Sequence, residues 1–228
     1  MKSLLVIHSR STLLVVLLAC LGAGTAAADA ASDGSAPPLP AAPDAEVAYF
    51  TPAQTEGPYY PVTKPADRDS DLVIVQGASS LPAGDVVEFG GTLFDAAGSP
   101  VAGAVIEIWQ TDNNGIYAHP GDRRTSRRDT NFQFYGESVT AADGTYGFRT
   151  ILPGYYASRP RHIHVKVKLD GRTLLTTQFY FAADPRKASD SIFAALADKT
   201  ALIIDLDERT GADGSPALHG SRDIVLRM

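Results

Sequence analysis

Arg159-Pro160-Arg161-His162-Ile163-His164-Val165-Lys166-Val167 is the stretch from which the fold and the chemistry both follow. Ile163, Val165 and Val167 alternate with polar residues, the pattern of a β-strand with one apolar face. Residues i and i+2 of a strand share a face, so His162 and His164 project side by side and can converge on one metal ion. Just upstream, Leu152-Pro153-Gly154-Tyr155-Tyr156 is a turn carrying two phenols. A His-x-His pair alone is common and often structural. With tyrosines beside it, the pair points to a metal enzyme.

Outward from this strand, short β-type runs recur between Gly, Asp and Pro punctuation: Leu72–Gln76, Val86–Phe94, Ala104–Gln110, Tyr146–Thr150, His162–Leu169 and Thr173–Phe181. Asp95-Ala96-Ala97-Gly98-Ser99-Pro100 and Ala141-Ala142-Asp143-Gly144 are turn sequences between such runs. The pattern predicts an all-β fold, an antiparallel β-sandwich with long loops. One short helix is expected near Ser189–Ala197, and Val225-Leu226 closes the sheet as a last strand. In Val105-Ile106-Glu107-Ile108-Trp109 the alternation sets Glu107 opposite Ile106 and Ile108, and a solvent-facing carboxylate is expected there.

The N-terminus has a different composition. Lys2 and Arg10, an apolar run from Leu13 to Leu21 and small residues from Gly22 to Ala28 have the layout of a secretory signal peptide, residues 1–28. The only cysteine, Cys20, follows Leu17-Leu18-Ala19 and offers a second reading, a lipoprotein signal in which Cys20 is acylated; the alternative is a small apolar residue inside an ordinary signal. Residues 29–46, rich in Ala, Asp, Ser, Gly and Pro, read as a flexible linker. Residues 47–228 are enough for one domain with a full core. A lone cysteine allows no internal disulfide. The chain has 20 basic and 26 acidic residues, net −6, which argues against nucleic-acid binding. Arg123-Arg124 and Arg127-Arg128 read as a solvated loop, with a substrate-facing role as the minority alternative.

Two imidazoles fill part of a coordination sphere, and the remaining donors decide the metal. Cys20 is too far away for a thiolate site. A two-histidine, one-carboxylate iron site would need an acid, and Asp170 is the nearest downstream. Tyrosine is the alternative: Tyr155 or Tyr156, and Tyr117 at the end of Trp109-Gln110-Thr111-Asp112-Asn113-Asn114-Gly115-Ile116-Tyr117. A phenol normally titrates near pKa 10, but a trivalent cation favours the phenolate strongly. Two phenolates and two imidazoles would leave a coordination position open, as catalytic sites require.

These segments resemble the intradiol ring-cleavage dioxygenases, the protocatechuate and catechol dioxygenase type. The resemblance runs through Thr51–Tyr60, Gly91–Asp95, Pro100–Ala104, Trp109–Tyr117, Asp143-Gly144-x-Tyr146, Arg149–Gly154, Arg159–His164, Thr176–Gln178 and Asp223–Leu226, almost the whole domain in order. It implies a non-haem Fe(III) held by Tyr117, Tyr156, His162 and His164. Tyr156 is chosen by the family's Pro-Gly-x-Tyr spacing, with Tyr155 as the fallback, and it serves as ligand and then as base. The resemblance further implies that Arg159 stabilises charge developing on the substrate ring and that Gln178 lines the same pocket. Arg161 falls at a variable place and is expected at the surface. The implied reaction is intradiol cleavage of a catechol by O2 to a cis,cis-muconate-type diacid. The N-terminal segment separately predicts an exported, periplasmic or extracellular protein, or a membrane-anchored lipoprotein, and a homo-oligomer is left open because the family varies in assembly. Thr130 replaces the proline of the family's Asp-Pro-Asn-Phe segment, and Phe134-Tyr135 are bulky, so the pocket shape is left open. His119 is expected at the pocket edge or exposed, and His219 solvated in a loop. The rival classes are a colourless ligand-binding sandwich and a zinc or copper enzyme using the histidine pair.

Overall fold

The computed structural model describes residues 49–228. The expected signal segment, Cys20 and the linker lie outside the described residues. Ten strands follow: β1 (Val86–Phe94), β2 (Val105–Trp109), β3 (Tyr135–Val139), β4 (Thr145–Ile151), β5 (His162–Leu169), β6 (Arg172–Phe181), β7 (Ile203–Ile204), β8 (Asp207–Thr210), β9 (Pro216–Ser221) and β10 (Ile224–Val225).

They form two five-stranded sheets. In the first, β4 runs antiparallel along β1, while β9 and β10 pair with β1 in parallel and β8 pairs with β9. The second has the order β3-β2-β5-β6-β7, antiparallel except for the parallel β6–β7 pair. The expected all-β sandwich is therefore present, but with mixed rather than purely antiparallel sheets. The parallel strands arrive over long connections near the C-terminus, and no local alternation pattern reveals which neighbour a strand will choose.

Alternation decides what lies between the sheets. Ile106, Ile108, Ile163, Val165 and Val167 of the second sheet join Val87, Phe89, Leu93 and Phe148 of the first in one buried cluster. The opposite face of the second sheet thus carries Glu107 and Trp109 on β2, Tyr135 and Glu137 on β3, His162, His164 and Lys166 on β5, and Gln178 and Tyr180 on β6. The register brings them into rows: Tyr135 beside Trp109, Trp109 beside His164, and His164 beside Gln178. That face is not open to water. His162, His164, Lys166, Glu107 and Gln178 are all buried.

The cover is a strap running from Tyr49 to about Lys64. Thr51 exchanges hydrogen bonds with Val225, the Gln54 amide donates to Thr176, Thr177 donates to the Pro52 carbonyl, and Gln178 donates to the Thr55 carbonyl.

Several expectations change. Leu72–Gln76 is not a strand: Leu72 and Val73 are buried, but an aspartate-capped turn, with the Asp71 carboxylate accepting from the Val73 amide, bends the chain after a single bridge to Arg149. The helix is one turn, Ser191–Ala194, capped by Asp190, whose carboxylate accepts from the Phe193 amide; Pro185 starts a separate 3-10 turn just before it. Asp170 sits with Gly171 at the β5–β6 hairpin, both at positive φ, a two-residue turn. His219 lies on β9 rather than in a loop, with Nε2 3.7 Å from Glu88.

Candidate metal centre

Two loops bring the phenols to the histidine face. The first, after β2, is organised by buried Asp112, whose carboxylate accepts from the amides of Asn114, Ile116 and Asp129. Asp122 then accepts from the Tyr117 amide at 3.0 Å. The second loop, after β4, carries Tyr155 and Tyr156. The two loops meet backbone to backbone at Gly115 and Gly154, where the Gly154 amide donates to the Asp112 carbonyl. A Cβ on Gly115, which has φ +73°, would run into the Tyr155 carbonyl.

At the meeting point, the Tyr117 hydroxyl lies 3.3 Å from His162 Nε2 and 3.1 Å from His164 Nε2. His162 Nδ1 is 2.7 Å from the Pro160 carbonyl. A carbonyl only accepts, so Nδ1 carries the proton and the Nε2 lone pair faces Tyr117. Trp109 stacks on His164 at 4.7 Å with the planes 8° apart. On the other side, Gly57 at φ +72° comes so close that a Cβ there would be 3.1 Å from the His164 ring. His164 Nδ1 is buried without a hydrogen-bond partner.

Burial, assisted by the charge of Arg159, pushes the His162 imidazole down to about pKa 4; burial, His162 and Arg159 together hold His164 well below its usual value. Both are neutral, the ligating form. Burial pushes the Tyr117 phenol up, so it keeps its proton until a cation compensates the charge.

Tyr156 packs edge-on against Tyr117, centroids 5.6 Å apart, and its hydroxyl donates to Tyr59 at 3.2 Å. Tyr155 turns away: its ring lies under the guanidinium groups of Arg161, at 4.3 Å, and Arg186, at 3.6 Å. Of the two, Tyr156 is the phenol that meets Tyr117. Among the described residues no group of three His, Cys, Asp or Glu could hold a metal. Asp170, the carboxylate alternative, sits in the β5–β6 turn, whereas the Tyr117 hydroxyl lies against both imidazoles. Neutral imidazoles with lone pairs turned inward, beside an ionisable buried phenol, fit a hard trivalent cation.

Comparison with known proteins places the chain in a family. The family described as Dioxygenase matches residues 55–228. The chain belongs to the intradiol ring-cleavage dioxygenases. It is 36% identical over 169 residues to the protocatechuate 3,4-dioxygenase beta chain of Burkholderia cepacia, covering 70% of this chain and 72% of that one. To catechol 1,2-dioxygenase of Acinetobacter baylyi it is 31% identical over 188 residues, 73% of this chain but only 57% of that enzyme. The dioxygenase domain of a dioxygenase–carbohydrate-binding protein fusion from Streptomyces sp. SirexAA-E superposes with a TM-score of 0.60 at 34% identity, covering 79% of this chain and 99% of that domain. Intradiol dioxygenases are oxidoreductases that use non-haem iron.

In this intradiol dioxygenase Arg159 and Gln178 lie together, with Arg159 Nη2 donating to Gln178 Oε1 at 2.8 Å and to the Tyr180 hydroxyl at 3.1 Å. Asp190, the helix cap, also pairs with Arg159. Arg161 is directed away from the phenol–imidazole cluster, as expected, but it is not a surface residue. It donates to the Pro153 carbonyl and covers Tyr155, bracing the second loop. Arg124 is committed to Asp122 and lies 5.8 Å from the Tyr156 ring. His119 is half-buried, its ring edge-on against Tyr59. Phe134 fits by taking φ +63° and packing on Phe132.

Glu107 is the clearest correction. It is 1% exposed rather than solvent-facing, because the strap lies over its face and supplies partners. Lys64 and Lys168 each pair with it at 2.7 Å, and the Tyr60 hydroxyl donates to it at 2.8 Å. Its shared face with Trp109 was visible in the alternation. The cover was not. Tyr59, which stacks on Tyr117 at 4.7 Å, was also given no role by sequence reasoning.

Proposed function

We propose that this chain opens the ring of a catechol-type aromatic between its two hydroxylated carbons with O2, at a non-haem Fe(III) held by Tyr117, Tyr156, His162 and His164. The product class is a cis,cis-muconate-type diacid, which contains all the atoms of substrate and O2. The observation that carries the proposal is the convergence of the Tyr117 hydroxyl on both Nε2 atoms. Bound there, Fe(III) would supply Lewis acidity toward the two catechol oxygens and hold the reactants together.

The chain's own residues do the rest. His162 and His164 donate from Nε2, His162 being locked in that tautomer by Pro160. Tyr156, at the end of its loop with its hydroxyl on Tyr59, would serve as a ligand in its phenolate form and as the base for an incoming catechol hydroxyl. Arg159 places a fixed positive charge beside the pocket, where negative charge develops on the ring, and preorganised charge of this kind is usually the largest catalytic contribution. Asp190, Gln178 and Tyr180 keep its guanidinium from moving. Trp109 and the strap exclude water from the face of His164.

A visible absorption spectrum of the purified protein, before and after adding a catechol, tests this. A broad phenolate-to-iron band that shifts on addition is expected. A protein that stays colourless after iron loading would refute the proposal.

Export belongs to the same proposal, supported by the charge, apolar run and small residues of positions 1–28. Intact mass of the mature N-terminus distinguishes cleavage near Ala28 from acylation at Cys20, and an unprocessed N-terminus would refute export. A homo-oligomer is also proposed, and light scattering on the purified protein checks it.

A further inference from the structure

Glu107 is a buried carboxylate that the proposed reaction does not use. A buried ion pair is a weak source of stability compared with apolar packing, so its partners are informative. Tyr60, whose hydroxyl donates to Glu107, stands edge-on against Trp109, centroids 5.0 Å apart at 82°, and carries the Lys166 ammonium 3.5 Å from its ring centre. Trp109 in turn backs His164. The neighbouring strap residue, Tyr59, stacks on Tyr117, meets Tyr156 edge-on at 5.3 Å and accepts the Tyr156 hydroxyl. One dipeptide therefore touches both phenols and, through Trp109, one imidazole, and its fixed point in the sheet is Glu107.

We propose that Glu107 is a positioning residue for the metal centre, acting through the Tyr60 hydroxyl to seat Tyr59 against Tyr117 and Tyr156. This rests on the assignment of those tyrosines and the two histidines as iron ligands. Lys64 and Lys168 hold the Glu107 carboxylate in place, and Lys64 also reaches Glu137 at 2.9 Å, which ties the far end of the strap to β3. The anchor thus fixes the strap on either side of the Tyr59–Tyr60 pair: at Glu107 and Glu137 on one side, and at Thr51–Thr55 on the other.

The test uses Tyr60→Phe, which removes one hydroxyl and keeps the ring on Trp109, so that folding is preserved even where Glu107→Gln is too destabilised to study. Trp109 is the only tryptophan in the chain, and its emission reports iron binding at His164 independently of turnover. Loss of the hydroxyl's hydrogen bonds, given to Glu107 and received from Lys168, predicts about tenfold weaker iron binding, read by Trp109 quenching. It also predicts a shifted phenolate-to-iron band. Because Glu107 acts through the Tyr59 ring, the Tyr59→Ala/Tyr60→Phe double variant should be little worse than Tyr59→Ala alone. A Tyr60→Phe protein matching wild type in iron affinity and band position would overturn the inference, as would strictly additive losses in the double variant. If wild type itself took up no iron, the metal assignment would fail and this inference with it. A normal wild type beside an unaffected Tyr60→Phe would sink the inference alone.

Discussion

At the scale of single residues, the site works because burial and charge are set against each other at particular atoms. Glu107 is an example with a measurable consequence. Burial works to raise its carboxyl, but hydrogen bonds from Lys168, Lys64 and Tyr60 outweigh this and leave it below the usual carboxylate value. Glu137 is lowered in the same way, by Lys64 and Tyr135 against burial. A carboxylate depressed in the folded state adds stability above its unfolded pKa, about 4.5, and that stability is lost as pH falls through the folded value. Glu107→Gln should therefore cost about 3 kcal/mol at neutral pH, because two lysines are left facing an uncharged amide. It should also flatten the acid limb. Urea unfolding at several pH values between 3 and 7 checks both, and parallel acid limbs for variant and wild type would show that the cluster is not what titrates. Glu107 also shows where residue-level reading stops. Alternation established its face, but a polar residue on the non-core side of a strand is ordinarily wet, and only the covering strap makes it buried.

At the scale of elements, two loops and a strap converge on the side of β5 that faces away from the sandwich core. Their approach depends on glycines where a side chain has no room. Gly115 is the sharpest case, since a Cβ would meet the Tyr155 backbone, and its φ of +73° is unfavourable for any L-residue. Gly115→Ala is expected to push the Tyr156 loop away from Tyr117, lowering iron occupancy and destabilising the protein by about 1–3 kcal/mol. Metal analysis together with thermal melting measures this, and full iron occupancy with an unchanged band would contradict the account. At this scale the sequence was legible in part. Strands β1 and β5 begin and end where their alternation and flanking turns say, because both are long and bounded by turn residues. The segment after Asp71 and the region around Ser191 were over-read as regular elements. Aspartate side chains at Asp71 and Asp190 cap short turns there, with local hydrogen bonds that compete with a longer strand or helix.

At the scale of the whole molecule, the sandwich supplies the rigid plane on which the histidines are held. Ile163 lies between them in sequence and on the opposite face, fully buried against the other sheet. Ile163→Ala should cost about 3 kcal/mol and lower Tm by about 6–12 °C, while leaving the absorption band of the remaining folded protein in place. A changed band would mean that core packing, and not only the loops and strap, sets the metal geometry. The chain by itself determined the all-β class, the pairing of His162 with His164 and the candidate phenols, since strand alternation and motif spacing are local properties written along the backbone. Tertiary structure alone decided which sheet neighbours run parallel, that Tyr155 turns under Arg161 and Arg186 while Tyr156 faces Tyr117, and that Glu107 is buried beneath the strap. Each of these depends on segments far apart in sequence meeting in space, and no local pattern encodes which surface a distant segment will cover.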